Sequence, residues 1–270
     1  MPHVERPGDV EIYWESSGEG PLVAFAMQFF GFPDTFEALI TDLAQDHRVV
    51  TYHVRGTGRS TRKGPYDVET DTQDLAALLE ELGEPALIVA VADGTNRAVH
   101  VAAQRPELVL AVVTPGGNPV GRVAARDTDA LAGSDSVLQA LTGMLDTDYR
   151  SGLRTMLQSA NPQLDDEGVR ERLDRTVEHC PHEAAAPRLR SWIEDEATDD
   201  ARAVGDRLWI LEHGMNPWFP IEVLRATREL LPEAHVEVVE DGPISRPEIT
   251  AGFVRRLTAP VGFGARAERS

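Results

Sequence analysis

The sequence predicts an α/β protein with a mostly parallel central sheet. Short apolar runs rich in β-branched residues alternate with longer stretches whose apolar residues recur at helical spacing. The run from Ala86 to Val91 is wholly apolar, which is typical of a strand buried on both faces at the centre of such a sheet. With 270 residues, 41% of them hydrophobic, the chain can bury the core of one domain with an insertion.

The elements of the first half follow in order from these patterns. A half-exposed strand is predicted at 10–15 from its alternation, and a buried strand at 22–26 from its apolar run. Asp34 and Thr35 are suited to cap a helix that carries an apolar stripe from Phe36 to Leu43. The remaining predictions are strands at 48–54, 86–91 and 109–114, and helices around 75–82 and at 94–104, the former ended by Gly83.

The pattern changes after residue 117. Residues 118–204 contain no convincing strand and predict short helices at 135–145, 149–158 and 166–178. The sheet then resumes at 208–211, followed by a helix near 220–231, a strand at 236–239 and a last helix near 247–257. We therefore predict a core of residues 1–117 and 205–258, a helical lid insertion at 118–204, and a flexible tail at 259–270.

Composition narrows the classes of function. The formal net charge of −19 disfavours binding to nucleic acid and docking on anionic membranes. No apolar run approaches the length of a membrane-spanning helix, and the N-terminal residues do not resemble a signal peptide. Cys180 is the single cysteine, so no disulfide can form within the chain. These features lead us to expect a cytoplasmic protein that binds neither nucleic acid nor membranes.

Several spaced motifs resemble the α/β-hydrolase family. The segment from His53 to Ser60 reads H-V-R-G-T-G-R-S and is similar to the family turn D-x-R-G-x-G-x-S, with His53 in place of the usual Asp. Residues Gln104 to Glu107, Q-R-P-E, are similar to the family's R-H-P-E at the end of a helix. The resemblance covers residues 10–117 and 205–257 and implies the α/β-hydrolase fold.

The resemblance places an alanine where the family has its catalytic nucleophile. The family nucleophile lies on a sharp turn, sm-x-Nu-x-sm, in which small residues flank it. Here the turn runs from Ala90 to Gly94, which puts Ala92 at the nucleophile position. A shift by one residue would make Asp93 the nucleophile, as in family dehalogenases, but it would put Val91 where a small residue is required.

The other two members of the family triad are also replaced under this alignment. Asn216 stands at the position of the acid, and an amide cannot carry the charge that stabilises an imidazolium. No histidine follows His235, so the general base is missing from its usual loop. The family's His-Gly pair after the first central strand aligns either with Met27-Gln28 or with Phe30-Gly31.

Candidate site residues surround these positions, and each has a structural alternative. Asp93 is a candidate general base, or it caps the helix that starts at Gly94. Polar candidates for substrate binding are hydrogen-bonding residues that can equally satisfy their own loops: Gln28, Asn216 and Ser245. Apolar candidates are aromatic residues that can equally be plain core: Phe29, Phe30 and Trp218.

No cofactor or metal is expected. The cluster of His179, Cys180 and His182 matches no zinc-binding spacing, and no glycine-rich phosphate loop follows a strand. The sequence therefore predicts a cofactor-independent, non-hydrolytic enzyme of the cyclase, isomerase or lyase type, acting on a small apolar or partly polar organic substrate. The alternatives are a non-catalytic ligand-binding protein and an atypical hydrolase that uses Asp93. A homodimer is left open.

Overall fold

The computed structural model describes residues 2–30, 36–125, 142–143, 145–160, 164–213, 221–239 and 246–259. Its centre is an eight-stranded sheet in the order β1-β2-β4-β3-β5-β6-β7-β8. The strands are β1 His3–Arg6, β2 Val10–Ser17, β3 Leu22–Ala26, β4 Arg48–Tyr52, β5 Ala86–Ala90, β6 Val109–Pro115, β7 Leu208–His213 and β8 His235–Val239. The first two strands pair antiparallel, β2 also pairs antiparallel with β4, and the other pairs are parallel.

Helices cover both faces of this sheet. Those before β7 are α1 Glu37–Leu43, α2 Val68–Leu82, α3 Gly94–Gln104, α4 Gly121–Ala125, α5 Tyr149–Ala160, α6 Asp166–His179, α7 His182–Glu194 and α8 Thr198–Val204. Those after it are α9 Ile221–Leu230 and α10 Pro247–Thr258. Helix α2 ends as the sequence predicts, since Gly83 adopts a left-handed φ of 74° and its N–H bonds back to the last turn.

The apolar residues of the strands divide into two core layers, one on each face of the sheet. In β5, Ile88 faces the layer that contains α2 and α3, while Val89 faces the layer that contains α1 and α10. Both side chains are fully buried, as expected for the central strand of a sheet covered by helices on both sides. The predicted α/β fold with a mostly parallel sheet is confirmed.

The structure adds elements that the sequence patterns did not indicate. Strand β1 extends the sheet as an antiparallel edge, with His3 opposite Tyr13. Helices α7 and α8 lie within the predicted helical insertion, but their bounds were not predicted. The predicted helix at 135–145 lies mostly outside the described residues, and so does nearly all of the predicted tail at 259–270.

The described part of the segment between β6 and β7 consists of helices joined by loops and contains no strand, and we call residues 118–204 the insertion. Its two flanking strands are neighbours in the sheet, with Val112 opposite Leu208, so the insertion leaves and re-enters the core at adjacent positions. That it acts as a lid, with the predicted domain boundaries, stays a prediction. In the described part of the chain, no helix is long and apolar enough to cross a bilayer.

A buried ion pair fastens the insertion to the core. Arg188 of α7 is 1% exposed, and its guanidinium donates from Nε to Asp71 of α2 at 2.6 Å and from Nη2 to the same carboxylate at 3.1 Å. Nη2 also donates to the carbonyl of Arg55 at 2.6 Å. The guanidinium lies against the rings of Phe29 and Tyr66, 5.6 and 5.4 Å from their centroids. The insertion is thereby tied to α2 and to the loops after β3 and β4.

Candidate active site

The turn between β5 and α3, which we call the elbow (residues 91–94), has a strained backbone. Ala92 has a φ of +50°, a conformation that costs a residue with a Cβ on the order of 1–2 kcal/mol. Gly94 lies so close to β3 that a Cβ added to it would be 1.9 Å from the carbonyl oxygen of Ala26. A small residue is therefore required at Gly94, as the pattern of the family turn predicts.

Three contacts tie the elbow and the first turns of α3 to the end of β3 and the loop after it. The N–H of Val91 donates to the carbonyl of Ala26 at 3.0 Å. Nη2 of Arg97 donates to the carbonyl of Met27. The N–H of Phe29 donates to Oδ1 of Asp93 at 3.3 Å. The elbow and this loop therefore form one hydrogen-bonded unit at the carboxyl ends of β3 and β5.

Asp93 is buried and does not cap the helix that follows it. Its side chain is 7% exposed, and Oδ2 accepts a hydrogen bond from Nη1 of Arg97 at 2.7 Å, one turn further along α3. Asp93 occupies the N-cap position but makes no side-chain capping bond there. The structural alternative considered for Asp93, a plain helix cap, is thus not what its carboxylate does. Whether Asp93 is catalytic stays a prediction.

Burial sets the ionisation of this pair. Desolvation raises the pKa of Asp93 above its ordinary value, and the charge and hydrogen bond of Arg97 offset only part of that effect. Burial acts on Arg97 in the direction of a lower pKa, but the neighbouring Tyr52 and Asp93 raise its pKa overall, so the guanidinium stays charged. A carboxylate with a raised pKa is a stronger base than an ordinary carboxylate, which favours a role in proton transfer.

The surroundings of Asp93 come from several elements. Nε of Arg97 donates to the hydroxyl of Tyr52, at the end of β4, at 3.0 Å, and burial raises the pKa of that phenol. Arg188 and Asp71, the pair that fastens the insertion, also act electrostatically on Asp93, the first lowering its pKa and the second raising it. Asp93 therefore lies at the junction of the elbow, the core and the insertion.

The predicted substrate-binding residues after β3 have different environments. Phe29 is 3% exposed and Phe30 is partly exposed, with their ring centroids 4.1 Å apart. Phe29 belongs to an apolar cluster with residues of the insertion, among them Leu145, Leu153, Leu173 and Leu189, and Phe30 packs against this cluster. Gln28 is partly exposed. The packing of Phe29 fits the core alternative of the sequence analysis, and contact of any of the three with a substrate stays a prediction.

Three other predicted positions fall outside the described residues. Asn216, Trp218 and Ser245 belong to segments 214–220 and 240–245, so their predicted roles stay predictions. The assignment of Ala92 to the nucleophile position is likewise a prediction, although its left-handed backbone agrees with it. No group of three or more His, Cys, Asp or Glu side chains is placed to bind a metal ion within the described ranges.

No function was predicted for Tyr52 or Arg188, and Arg97 was not among the predicted site residues. Arg97 could have been found, because it follows Asp93 by four residues on a helix and such pairs face each other. Tyr52 and Arg188 carry no comparable signal, since their contacts with the site join residues far apart in the chain.

The comparisons with known proteins agree with this architecture. The model of the α/β-hydrolase fold family matches residues 23–243, so the chain belongs to that family. Its fold is similar to the solved structure of E-2-(acetamidomethylene)succinate hydrolase, with a TM-score of 0.72 and 21% identity over 93% of this chain and 96% of that one. At this identity the likeness shows the fold alone.

Two curated relatives match part of the chain. A putative carbamate hydrolase, RutD of Azorhizobium caulinodans, is 30% identical over 119 residues, 43% of this chain and 44% of that protein. The sn-1-specific diacylglycerol lipase ABHD11 of Mus musculus is 33% identical over 104 residues, 37% of this chain and 34% of that protein. The matches thus span less than half the length of these relatives.

These relatives contradict the predicted reaction class. The sequence analysis predicted a non-hydrolytic cyclase, isomerase or lyase, whereas the relatives are named as a carbamate hydrolase and a lipase. That prediction is wrong. It rested on the replacement of the family triad, and it placed hydrolysis through Asp93 only among the alternatives, although the Asp93 carboxylate is buried and paired with Arg97.

Proposed function

We propose that the chain is a hydrolase that cleaves a small carboxylic ester, lactone or amide by direct attack of water on the acyl carbon. Membership of the α/β-hydrolase family and the hydrolase names of the partial relatives support this class of reaction. The observation that carries the proposal is the carboxylate of Asp93 in the elbow, which is buried, is held by Arg97 and has a raised pKa.

Ala92 leaves room for the attacking water in this proposal. In the family turn the nucleophile's side chain projects from the left-handed residue toward the substrate. The left-handed residue here is Ala92, whose side chain is a methyl group with no atom that can attack. In this proposal, a water molecule next to that methyl group comes within hydrogen-bond reach of the carboxylate of the adjacent Asp93, as general-base catalysis requires.

Backbone amides would stabilise the oxyanion. In this fold the donors are the N–H of the residue after the nucleophile and an N–H of the loop after the first central strand. The corresponding groups here are the amides of Asp93 and Phe29, and the latter donates to Oδ1 of Asp93 at 3.3 Å. This long hydrogen bond is weak enough for a substrate oxygen to replace it.

Each proton in the proposed reaction is accounted for. Asp93 accepts a proton from water as the water oxygen bonds to the acyl carbon, which gives a tetrahedral oxyanion held by the amides. The oxyanion then collapses, the bond to the leaving oxygen or nitrogen breaks, and protonated Asp93 returns the proton to the leaving group. The carboxylic acid and the alcohol or amine are the products, and Asp93 is regenerated as a carboxylate.

The test is hydrolysis of a panel of simple esters, lactones and amides by the purified protein and by Asp93→Asn. We expect the variant to lose roughly 10²–10⁴-fold in kcat/KM, the usual contribution of a general base. Asp74→Asn is the matched control, because Asp74 is also a buried carboxylate paired with an arginine, Arg55, at 2.7 Å. Wild-type rates in Asp93→Asn, or no hydrolysis by the wild type, would contradict the proposal.

A single-turnover reaction in ¹⁸O-labelled water separates the base from a nucleophile. With excess enzyme, direct water attack puts ¹⁸O into the acid product in the first turnover. If Asp93 were itself the nucleophile, it would form an anhydride with the acyl group, and attack of water on the Asp93 carbon would release a product with unlabelled oxygen and leave ¹⁸O in the carboxylate. Label in the carboxylate of Asp93 would therefore overturn the water mechanism while keeping the hydrolase class.

We also propose that the insertion acts as a lid over the elbow. The packing of Phe29, whose amide contacts Asp93, against side chains of the insertion supports this role. The substrate class that fits such a covered site is small and apolar or partly polar. A cytoplasmic location remains a proposal, supported by the single, buried Cys180.

A further inference from the structure

We propose that Arg97 is the positioning residue of this site, and that one guanidinium aligns the Asp93 carboxylate with the loop after β3. The inference rests on the proposed function, which it deepens by naming the group that controls the base. Arg97 is 2% exposed, and all of its contacts are internal. It lies one helical turn beyond the elbow, too deep to serve as a surface charge.

The three contacts of Arg97 go to three different elements. Nη1 donates to Oδ2 of Asp93 at 2.7 Å, Nη2 donates to the carbonyl of Met27, and Nε donates to the hydroxyl of Tyr52 at 3.0 Å. The planar guanidinium fixes the angles between these contacts, which an ammonium group cannot do. The base and the loop that supplies the Phe29 amide are therefore held in one rigid frame.

This arrangement leaves one oxygen of Asp93 for the chemistry. Oδ2 is held by Arg97, while Oδ1 has only the 3.3 Å contact from the Phe29 amide among the described residues. Oδ1 is then the oxygen that accepts the proton from water. Arg97 should therefore have two separable effects. Its charge lowers the pKa of Asp93, and the planar guanidinium, through its several hydrogen bonds, fixes the geometry of the loop after β3.

Other charged and titratable groups act on the same carboxylate. They are Arg188 of α7, Asp71 of α2, Tyr52 of β4 and Cys180 after α6. Arg188 is neutralised by its bidentate contact with Asp71, and burial keeps Tyr52 and Cys180 uncharged near neutral pH by raising their pKa values, that of Cys180 to about 12. Arg97 is therefore the cation whose removal should change the pKa of Asp93 most.

Two substitutions separate the effects of charge and geometry. Arg97→Gln removes the cation, so the acid limb of kcat/KM should move up by about 1–3 pH units, the effect of an adjacent opposite charge on a carboxyl. Arg97→Lys keeps the charge but loses the planar guanidinium and its three directed hydrogen bonds, so the acid limb should stay near its wild-type pH while kcat falls. Arg55→Gln is the matched control, because it breaks a buried pair with Asp74 outside the site, and it should not move the limb.

The effect of Arg97 on the pKa of Asp93 can also be measured without an activity assay. The Asp93 carboxyl is titrated by ¹³C NMR in protein labelled with ¹³C-aspartate, and its signal is assigned by its absence in Asp93→Asn. We expect a higher pKa in Arg97→Gln than in the wild type. Should Arg97→Gln not fold, Tyr52→Phe removes one contact of Arg97 without removing charge, and it should lower kcat while leaving the acid limb in place.

Different results would overturn the positioning role of Arg97 and the proposed hydrolase function. An unshifted Asp93 titration in Arg97→Gln, or an unchanged kcat in both Arg97→Lys and Tyr52→Phe, would overturn the positioning role. A wild-type protein that hydrolyses nothing would refute the proposed function, and in that case the NMR titration still decides whether Arg97 controls Asp93. A shift of the acid limb in Arg55→Gln as large as that in Arg97→Gln would show a general loss of stability instead of positioning.

Discussion

Removal of Arg188 should be the most destabilising single change in the contact between the insertion and the core. In Arg188→Met the carboxylate of Asp71 would stay buried, 2% exposed, without its cation. Breaking a buried ion pair from one side costs about 3–5 kcal/mol, because the remaining charge is neither hydrated nor paired. The lost contact of the guanidinium with the rings of Phe29 and Tyr66 adds about 0.5–2 kcal/mol.

This cost belongs mostly to the orphaned charge, so removing both partners should recover much of it. In the double variant Arg188→Met/Asp71→Leu no charge stays buried, and such replacements are often neutral or stabilising. We therefore expect the double variant to be more stable than Arg188→Met alone. The coupling free energy between the two positions should be on the order of 2–4 kcal/mol, close to the penalty of the orphaned carboxylate.

Urea unfolding monitored by circular dichroism measures these differences in the free energy of unfolding. In thermal unfolding, at about 2–4 °C per kcal/mol for a chain of this size, the 3–5 kcal/mol loss corresponds to a fall in Tm of roughly 6–20 °C. The control is Arg170→Met, since Arg170 pairs with Glu167 in an exposed contact, 63% and 72% exposed, and should change stability by less than about 1 kcal/mol. A loss below about 1 kcal/mol in Arg188→Met, or simple additivity in the double variant, would refute this reasoning.

Two further predictions concern α3. Burial would lower the pKa of His100, but hydrogen bonds to Asp195 and Asp200, at 3.0 and 2.6 Å from its ring nitrogens, raise it overall. The protonated His100 should therefore stabilise the fold fully below the unfolded pKa of about 6.5, and this stabilisation should be lost as pH rises through the higher folded pKa. In urea unfolding, His100→Gln should lower the free energy of unfolding more at pH 5.5 than at pH 9. Equal losses at the two pH values would contradict this. Gly94→Ala should destabilise by about 3 kcal/mol or more, since its Cβ would be 1.9 Å from the carbonyl oxygen of Ala26, and a wild-type Tm would show that the elbow relaxes freely.

Much of the fold follows from local patterns. The bounds of α3 agree with the sequence prediction, Gly94 to Gln104, because an elbow glycine and an apolar stripe mark this helix. The strands from β3 to β6 end within about two residues of prediction, since their apolar runs are bounded by turns. Strand β1 was missed because its four residues include only one buried side chain, Val4, which leaves no alternation to detect.

The site was less accessible to sequence reasoning. Asp93 was identified, but whether its carboxylate caps a helix or pairs with Arg97 depends on side-chain direction, which spacing alone does not decide. The pair of Arg188 and Asp71 joins residues 117 positions apart, so nothing in either segment signals it. The reaction class was predicted wrongly because absent side chains were weighed more heavily than the carboxylate that is present.

Phe29 makes the insertion and the elbow mechanically interdependent. Its ring belongs to the apolar cluster of the insertion and lies under Arg188, while its amide holds Oδ1 of Asp93. A displacement of the insertion that shifts the ring of Phe29 also shifts its amide, because both groups belong to one buried residue. Movement of the insertion is therefore expected to change the surroundings of the Asp93 carboxylate, since both Arg188 and Phe29 would move with it.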